Sequence, residues 1–304
     1  MNRVEMTNSA VAALRKKGFQ ITTFLDSNTC FDIIAKKGES TILIKVYENI
    51  DSIRKEQALE LHKLSQVLEA SGLIIGRKTK VFEMQGGTVY FRYDIPTITI
   101  GTFEKLLDDE TPSVKYFKGK YIVDIDFDAL RKKRGEMNLS LQELAEKIGV
   151  SGESMYRFEK GASTSAQTAK RLEKELDEDF TKKIPVFGYR PQRKKIDEVP
   201  DEKLLEKVHE LGVKMALFEH APFNAFGEME KGMLISMGKG KFDIPKKAME
   251  LKKTSAVIES DSIIVTKEYK YKSVEGIPVI EEADLQTINK IKELRKLINE
   301  REKK

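Results

Sequence analysis

Glu153, Ser154, Tyr156, Arg157 and Lys160, with the backbone of Gly152, share the outward side of one short run, residues 151–160. A guanidinium such as that of Arg157 can pair bidentately with guanine, and the Tyr156 hydroxyl can reach a base or a phosphate. Ser151 and the open N–H groups beside it suit a phosphate oxygen. A second pair, Asp32 and Lys45, sets a carboxylate and an ammonium on successive strand-like runs, residues 30–35 and 41–47. A hard divalent cation needs carboxylate oxygens, two of them for hydrolytic chemistry, with a Lys to polarise water or phosphate. His62, His209 and His220 lack matching partners, so the spacing offers no metal cluster, and no cofactor is expected. The glycines at 86–87 and the run 238–241, Gly-Lys-Gly-Lys, lack Walker spacing and read as strand connections.

The outward face at 151–160 needs two short helices around one tight turn to present it. Ser140 followed by Glu143 is a capping box, in which hydroxyl and carboxylate each satisfy an orphan backbone donor. Leu141, Leu144, Ala145 and Ile148 supply an apolar stripe at helical spacing. Gly149 can take the left-handed conformation that a reversal requires. Ser151 caps the second helix, whose inward side is Met155 and Phe158 together with Val150. Helices at 129–137, rich in Arg131, Lys132, Lys133 and Arg134, and at 165–176 flank the pair, so residues 127–180 read as purely helical.

The chain has 304 residues, enough for two or three cores. Lys+Arg 54 against Asp+Glu 49 leaves a net charge of only +5, so basic residues matter only where they cluster. One cysteine, Cys30, excludes a disulfide framework and a Cys-based zinc site. With neither a leader-like start nor an apolar run near 18 residues, the expectation is a cytoplasmic protein without a membrane segment.

Before the central segment, patterning predicts a helix at 7–17, strands at 19–24, 30–35 and 41–47, a helix at 52–70, strands at 72–75, 81–82, 88–93 and 97–100, and a helix at 102–107. This is a mixed α/β domain, residues 1–123, followed by the helical domain, 124–182. An exposed basic linker, 183–200, carries Arg190, Arg193, Lys194 and Lys195 among prolines and glycine. A second α/β domain, 201–304, ends in a predicted helix at 284–304, whose stripe Leu285, Ile288, Ile291, Leu294, Leu297 and Ile298 suits a core or a second chain.

That last third repeats the first. FNAF at 223–226 stands where FDII stands at 31–34, LISM at 234–237 where LIKV stands at 43–46, SAVIES at 255–260 where SGLIIG stands at 71–76, and GIPVI at 276–280 where DIPTI stands at 94–98. The offset drifts from 194 residues at Gly18 and Gly212 to 182 at Pro96 and Pro278, as when loops change length and elements persist.

The LAEKIGVS core and the Phe158-Glu159-Lys160-Gly161 ending resemble the Cro/repressor-type helix-turn-helix family over residues 129–176. The resemblance implies a five-helix domain whose helix at 151–160 enters the major groove of double-stranded DNA. It makes Tyr156 and Arg157 candidates for base edges, with Gly152 and Glu153 at the helix start, and assigns Glu159 to a structural pair with a first-helix cation such as Arg131. That family often has Gln at the first position of the capped helix, on backbone phosphate; here Leu141 stands there and Gln142 follows. Glu153 directs an anion toward DNA, which suits only a cytosine amino group or a rotation away.

Asp32 and Lys45 resemble the D…(D/E)-x-K pattern of the restriction-endonuclease-like fold. The second acid position is Leu43, which cannot ligate a metal, and only Glu56 on the next helix could substitute. The corresponding positions in the repeat are Asn224, Leu234 and Ser236, so that copy is expected to be inert. Over its full length the arrangement resembles an archaeal family of helix-turn-helix transcriptional regulators. The expected fold class is multidomain α+β, a central all-α domain between two duplicated restriction-endonuclease-like α/β domains.

The expected function is a sequence-specific DNA-binding transcriptional regulator, not an enzyme and homodimeric, using Gln142, Ser151, Gly152, Glu153, Ser154, Tyr156, Arg157 and Lys160. Its flanking domains would dimerise or sense an unidentified effector. A metal-dependent nuclease guided to DNA by its helix-turn-helix is the alternative. A ligand-gated or toxin-antitoxin style regulator and a helix-turn-helix used only for protein contact are the other readings.

Overall fold

The computed structural model describes residues 1–24, 28–188 and 196–302. The chain starts with α1 (Arg3–Lys16), β1 (Gln20–Thr23), β2 (Ile33–Lys37), β3 (Ser40–Asn49), α2 (Lys55–Val67) and β4 (Ser71–Lys78). Next come β5 (Thr88–Arg92), β6 (Ile95–Ile98), α3 (Ile100–Leu107), β7 (Val114–Phe117) and β8 (Lys120–Val123). The middle holds α4 (Phe127–Glu136), α5 (Leu141–Ile148), α6 (Gly152–Phe158), β9 (Thr164–Ser165) and α7 (Ala166–Leu176). After them follow α8 (Lys203–Glu210), β10 (Met215–Leu217), β11 (Ala225–Gly227), β12 (Met233–Gly238) and α9 (Asp243–Ile258). The chain closes with β13 (Asp261–Thr266), β14 (Ser273–Val274), β15 (Ile277–Glu281), α10 (Glu282–Thr287) and α11 (Ile291–Glu302). Two compact units result: Met1–Ala10, Tyr47–Ser52 and Leu73–Gly188 form the first, and Val11–Val46, Ile53–Gly72 and Tyr189–Lys304 the second.

In the second unit β1, β2 and β3 form an antiparallel meander, with Thr23 opposite Ile33 and Ile34 opposite Leu43. Residues 41–46 of β3 are all buried, apolar except for Thr41 and Lys45, as in a strand covered on both faces. The other sheet of this unit runs β10-β11-β12-β13-β15-β14, antiparallel from β10 to β12 and parallel from β12 through β13 to β15. Leu205, Val208, Met233, Ile235, Ile263, Val265, Leu294 and Ile298 lie in its core.

Two expectations for this region change, and one alternative is decided. SAVI at 255–258 is the end of α9 rather than a strand; Glu259, at a φ of 58°, stops the helix, and the strand starts at Asp261. The closing helix is two helices, because Ile288 is extended and Asn289 donates to the Glu293 carboxylate at 2.8 Å. Its apolar stripe is in the core, with Leu285, Ile288, Leu294 and Ile298 all buried.

In the first unit the strands run β4-β6-β5-β7-β8-β9. β4 and β6 are parallel, while β5–β6 and β7–β8 are antiparallel. Residues 81–82 form no strand: the Thr79 hydroxyl accepts from the N–H of Val81 at 3.1 Å and of Phe82 at 3.0 Å, closing a local turn. The helical segment is not purely helical, since β9 pairs with β8. It carries four helices, α4 to α7, among the described residues, not five. After α7 the chain reverses at Asp177, in the left-handed region at a φ of 52°, and Thr181 then bridges to Ile125. The start of the expected linker is folded: Val186 is buried in a short 3-10 turn, Val186–Gly188, and Phe187 meets Phe103 edge-on. Arg190, Arg193, Lys194 and Lys195 lie outside the described residues.

Candidate functional site

The α5–α6 pair forms as its residue types dictate. The Glu143 N–H donates to the Ser140 hydroxyl at 3.2 Å, and the Ser140 N–H donates to the Glu143 carboxylate at 2.7 Å. These bonds hold the Glu143 carboxyl below the usual carboxylate range. Gly149 sits at φ 68° and ψ 45°, where an L side chain is strained. The Val150 N–H then reaches back to the Ala145 carbonyl at 2.9 Å, which reverses the chain. Ser151 accepts from the Ser154 N–H at 3.1 Å and starts α6. The exposed Gln142 side chain lies over Gly152, where a Cβ would lie 2.5 Å from its oxygen and would displace it.

Inward and outward residues separate as the spacing predicts. Leu144, Ala145, Ile148, Met155 and Phe158 are buried together with Leu130, Leu172 and Leu176. Glu153, Tyr156, Arg157 and Lys160 are exposed, and Ser154 and Gly152 are half-buried. The Lys160 ammonium lies 5.6 Å from the Tyr156 ring centre. Gln142 is exposed, and its amide donates to Glu146 at 2.8 Å.

Glu159 is structural, but its main partner is Arg134. Arg134 spans both carboxylate oxygens at 2.6 and 3.0 Å and also donates to the Leu139 carbonyl at 2.7 Å. Arg131 donates to the Glu159 backbone carbonyl at 2.7 Å, and its guanidinium also lies 3.8 Å from the carboxylate. Arg134 therefore ties the end of α6 to α4 and to the loop before α5. Residues 131 and 134 have the helical spacing of one face, so sequence alone does not choose between them.

Asp32, just before β2, meets Lys45 of β3. The ammonium donates to Asp32 Oδ1 at 2.9 Å and to the Thr29 carbonyl at 2.6 Å, while the Val46 N–H takes Asp32 Oδ2 at 2.8 Å. Asp32 is 0% and Lys45 4% exposed, so both carboxylate oxygens are engaged inside the protein. Leu43 is also 0% exposed, and Glu56 is exposed at the start of α2. These residues do not fit a divalent cation: one acid position is aliphatic, and the remaining acid already has a cation of its own. Among the described residues no group of three His, Cys, Asp or Glu could hold a metal. Burial pushes the neighbouring Cys30 thiol far up, so it is an inert apolar filler.

The other sheet of this unit has a closely matched corner. The Asn224 side-chain oxygen accepts from the Met237 N–H at 2.9 Å, as Asp32 accepts from Val46. The Asn224 N–H donates to Ile235 at 2.9 Å, as Asp32 donates to Ile44 at 2.7 Å. Phe218 meets Phe223 edge-on at 5.5 Å, as Phe24 meets Phe31 at 5.3 Å. Ser236, in place of the lysine, is fully buried with an unpartnered hydroxyl.

Residues 3–112 match the PD-(D/E)XK superfamily domain and residues 130–182 match a helix-turn-helix. Fold and motifs together define a helix-turn-helix protein that carries a nuclease-like α/β domain. A Pyrococcus horikoshii protein named "Putative HTH-type transcriptional regulatory protein" is 32% identical over 99% of this chain and 98% of its own. Relatives of the same designation from Archaeoglobus fulgidus, at 28% identity over 97% of both chains, and from Methanocaldococcus jannaschii, at 30% over 95% and 94%, also match. The chain belongs to this archaeal family of HTH-type transcriptional regulatory proteins. No solved structure matches it. No helix among the described residues is long and apolar enough to cross a membrane.

Proposed function

We propose that this protein is a sequence-specific DNA-binding transcriptional regulator that reads the major groove with α6. The observation that carries the reading is the division of that helix: Met155 and Phe158 are locked in the core, and Tyr156, Arg157, Glu153 and Lys160 stand clear on the other side. Arg157 takes the base-edge role, Tyr156 a base or phosphate, and Gln142 and Lys160 the flanking backbone. The Ser151 hydroxyl, engaged by the Ser154 N–H, serves first as a cap. Two copies of the chain would place two such helices on half-sites about 34 Å apart, which calls for symmetric operators. The protein acts in the cytoplasm, where its DNA is.

The α/β segments are non-catalytic supports or sensors. The second is a diverged copy of the first, read as domains 1–123 and 201–304 around 124–182. Three antiparallel strands, a helix, and a parallel pair whose second strand also pairs antiparallel recur in both. The Asp32 and Asn224 corners, bonded alike, support the same register.

Selection of bound genomic fragments followed by sequencing tests binding, symmetry and targets together. Arg157→Ala should abolish preference for the selected site and leave salt-sensitive nonspecific binding. An unchanged preference would remove α6 as the reading element. The match of residues 3–112 to the nuclease superfamily favours one second reading, a DNA-guided nuclease. Magnesium-dependent plasmid cleavage lost in both Asp32→Ala and Lys45→Ala would establish it.

A further inference from the structure

The β7–β8 hairpin has no counterpart among the sequence expectations and no part in the reading above. Phe117 faces Lys120, Tyr116 faces Tyr121, Lys115 faces Ile122 and Val114 faces Val123. Alternation therefore gives the ribbon two faces. On one, Val114 and Val123 pack with the helix-turn-helix core. The same face carries Tyr116, whose ring lies 5.2 Å from Phe82, 5.3 Å from Tyr90 and 5.1 Å from Tyr121. On the other, Phe117 is 52% exposed beside exposed Lys120. Lys118 and Gly119 make the turn, at φ of 47° and 80°, and the Lys118 ammonium lies 5.3 Å from the Phe117 ring centre.

The hairpin is built into the helix-turn-helix rather than hung from it. β8 pairs with β9, Val123 opposite Thr164 and Ile122 opposite Ser165. Asp124 accepts from Lys115 at 2.5 Å and from the Ser163 hydroxyl at 2.6 Å, and its carbonyl takes the Lys182 N–H at 2.8 Å. β9 follows α6 after the short exposed turn around Lys160 and Gly161. From Ser165 the ribbon continues past Ile122 to Lys120, about 7 Å further on at strand rise.

A rigid ribbon that holds an aromatic ring out of the core and sets two cations around it suits a polyanion with apolar grooves. We propose that the tip, Phe117, Lys118 and Lys120, is a second DNA contact, in which both lysines bind backbone phosphates of the duplex read by α6 and Phe117 packs on the sugars between them. The proposal rests on the DNA-binding reading of α6. Phosphate contacts of this kind position a protein without reading sequence.

The test is anisotropy titration of the full chain on a selected fragment and on a scrambled duplex, across salt, for wild type, K118E/K120E, K118Q/K120Q and R157A. All three sites are exposed, and circular dichroism checks that each variant folds. Charge reversal should weaken both duplexes at least about tenfold, and K118Q/K120Q should make the log–log salt slope shallower by about 1.8. R157A should lose only the preference between duplexes. Hairpin variants with wild-type affinity and slope, beside an R157A that loses preference, would overturn the hairpin contact and leave the α6 reading intact. A wild type that binds neither duplex would overturn both.

Discussion

Arg134 grips both oxygens of Glu159, at 2.6 and 3.0 Å, and so joins the first and third helices of the helix-turn-helix through one nearly buried carboxylate. The exposed end of α6 is thereby fixed from beneath. Bidentate pairing is specific to a planar guanidinium.

Arg134→Ala should therefore cost about 3 kcal/mol, because it leaves a nearly buried carboxylate with only the more distant Arg131 guanidinium, 3.8 Å away. Arg134→Lys, with one point charge for two oxygens, should recover only part. Urea midpoints of the three proteins measure this; a lysine variant equal to wild type would show that the fork geometry contributes nothing.

Lys45→Ala strands Asp32 in the same way and should cost about 3–5 kcal/mol. The pair Asp32→Asn with Lys45→Ser, which copies Asn224 and Ser236, should be more stable than Lys45→Ala alone, since the amide still accepts from Val46 without a charge. Thermal melts of the single and double variants decide it, and additive losses would refute the compensation.

Asp124 gives a pH dependence. Burial raises its carboxyl, but the bonds from Lys115 and Ser163 and the charges of Lys115 and Lys182 outweigh this and hold it below its ordinary value of 3.8. A carboxylate lowered on folding stabilises above its unfolded value and loses that contribution as pH falls through the folded one. Acid titration of unfolding below about pH 4 should be shallower in Asp124→Asn than in wild type, and identical curves would discount the group.

Gly149→Ala should destabilise by about 1 kcal/mol, because its φ of 68° lies in the left-handed region. Gly149→Asn should cost less. Denaturant midpoints ranked Gly, Asn, Ala are the expected outcome; an alanine variant at the wild-type midpoint would contradict the strain.

Local signals were the legible ones. The caps at Ser140 and Ser151, the turn at Gly149 and the apolar spacing of α5 all act within a few residues, and the α5–α6 pair stands where they put it. The placement of Asp32 and Lys45 on successive strand-like runs was also visible, but their bond to each other was not, since it depends on the register of the two runs. The β7–β8 ribbon was not: Tyr116, Phe117 and Tyr121 put rings on both faces, so no inside was marked. The resemblance of SAVIES to SGLIIG failed because a short apolar run looks alike at the end of a helix and in a strand. Arg134 was not singled out because its second partner, the Leu139 carbonyl, depends on how the α4–α5 loop folds.

Lys45 is also a tethered ion. Its ammonium occupies the carboxylate that a divalent metal would claim, and the chain brings it along in every molecule that folds. A domain that matches the PD-(D/E)XK superfamily thus carries its own counterion at this carboxylate: magnesium should neither stabilise it nor, when chelated away, weaken it.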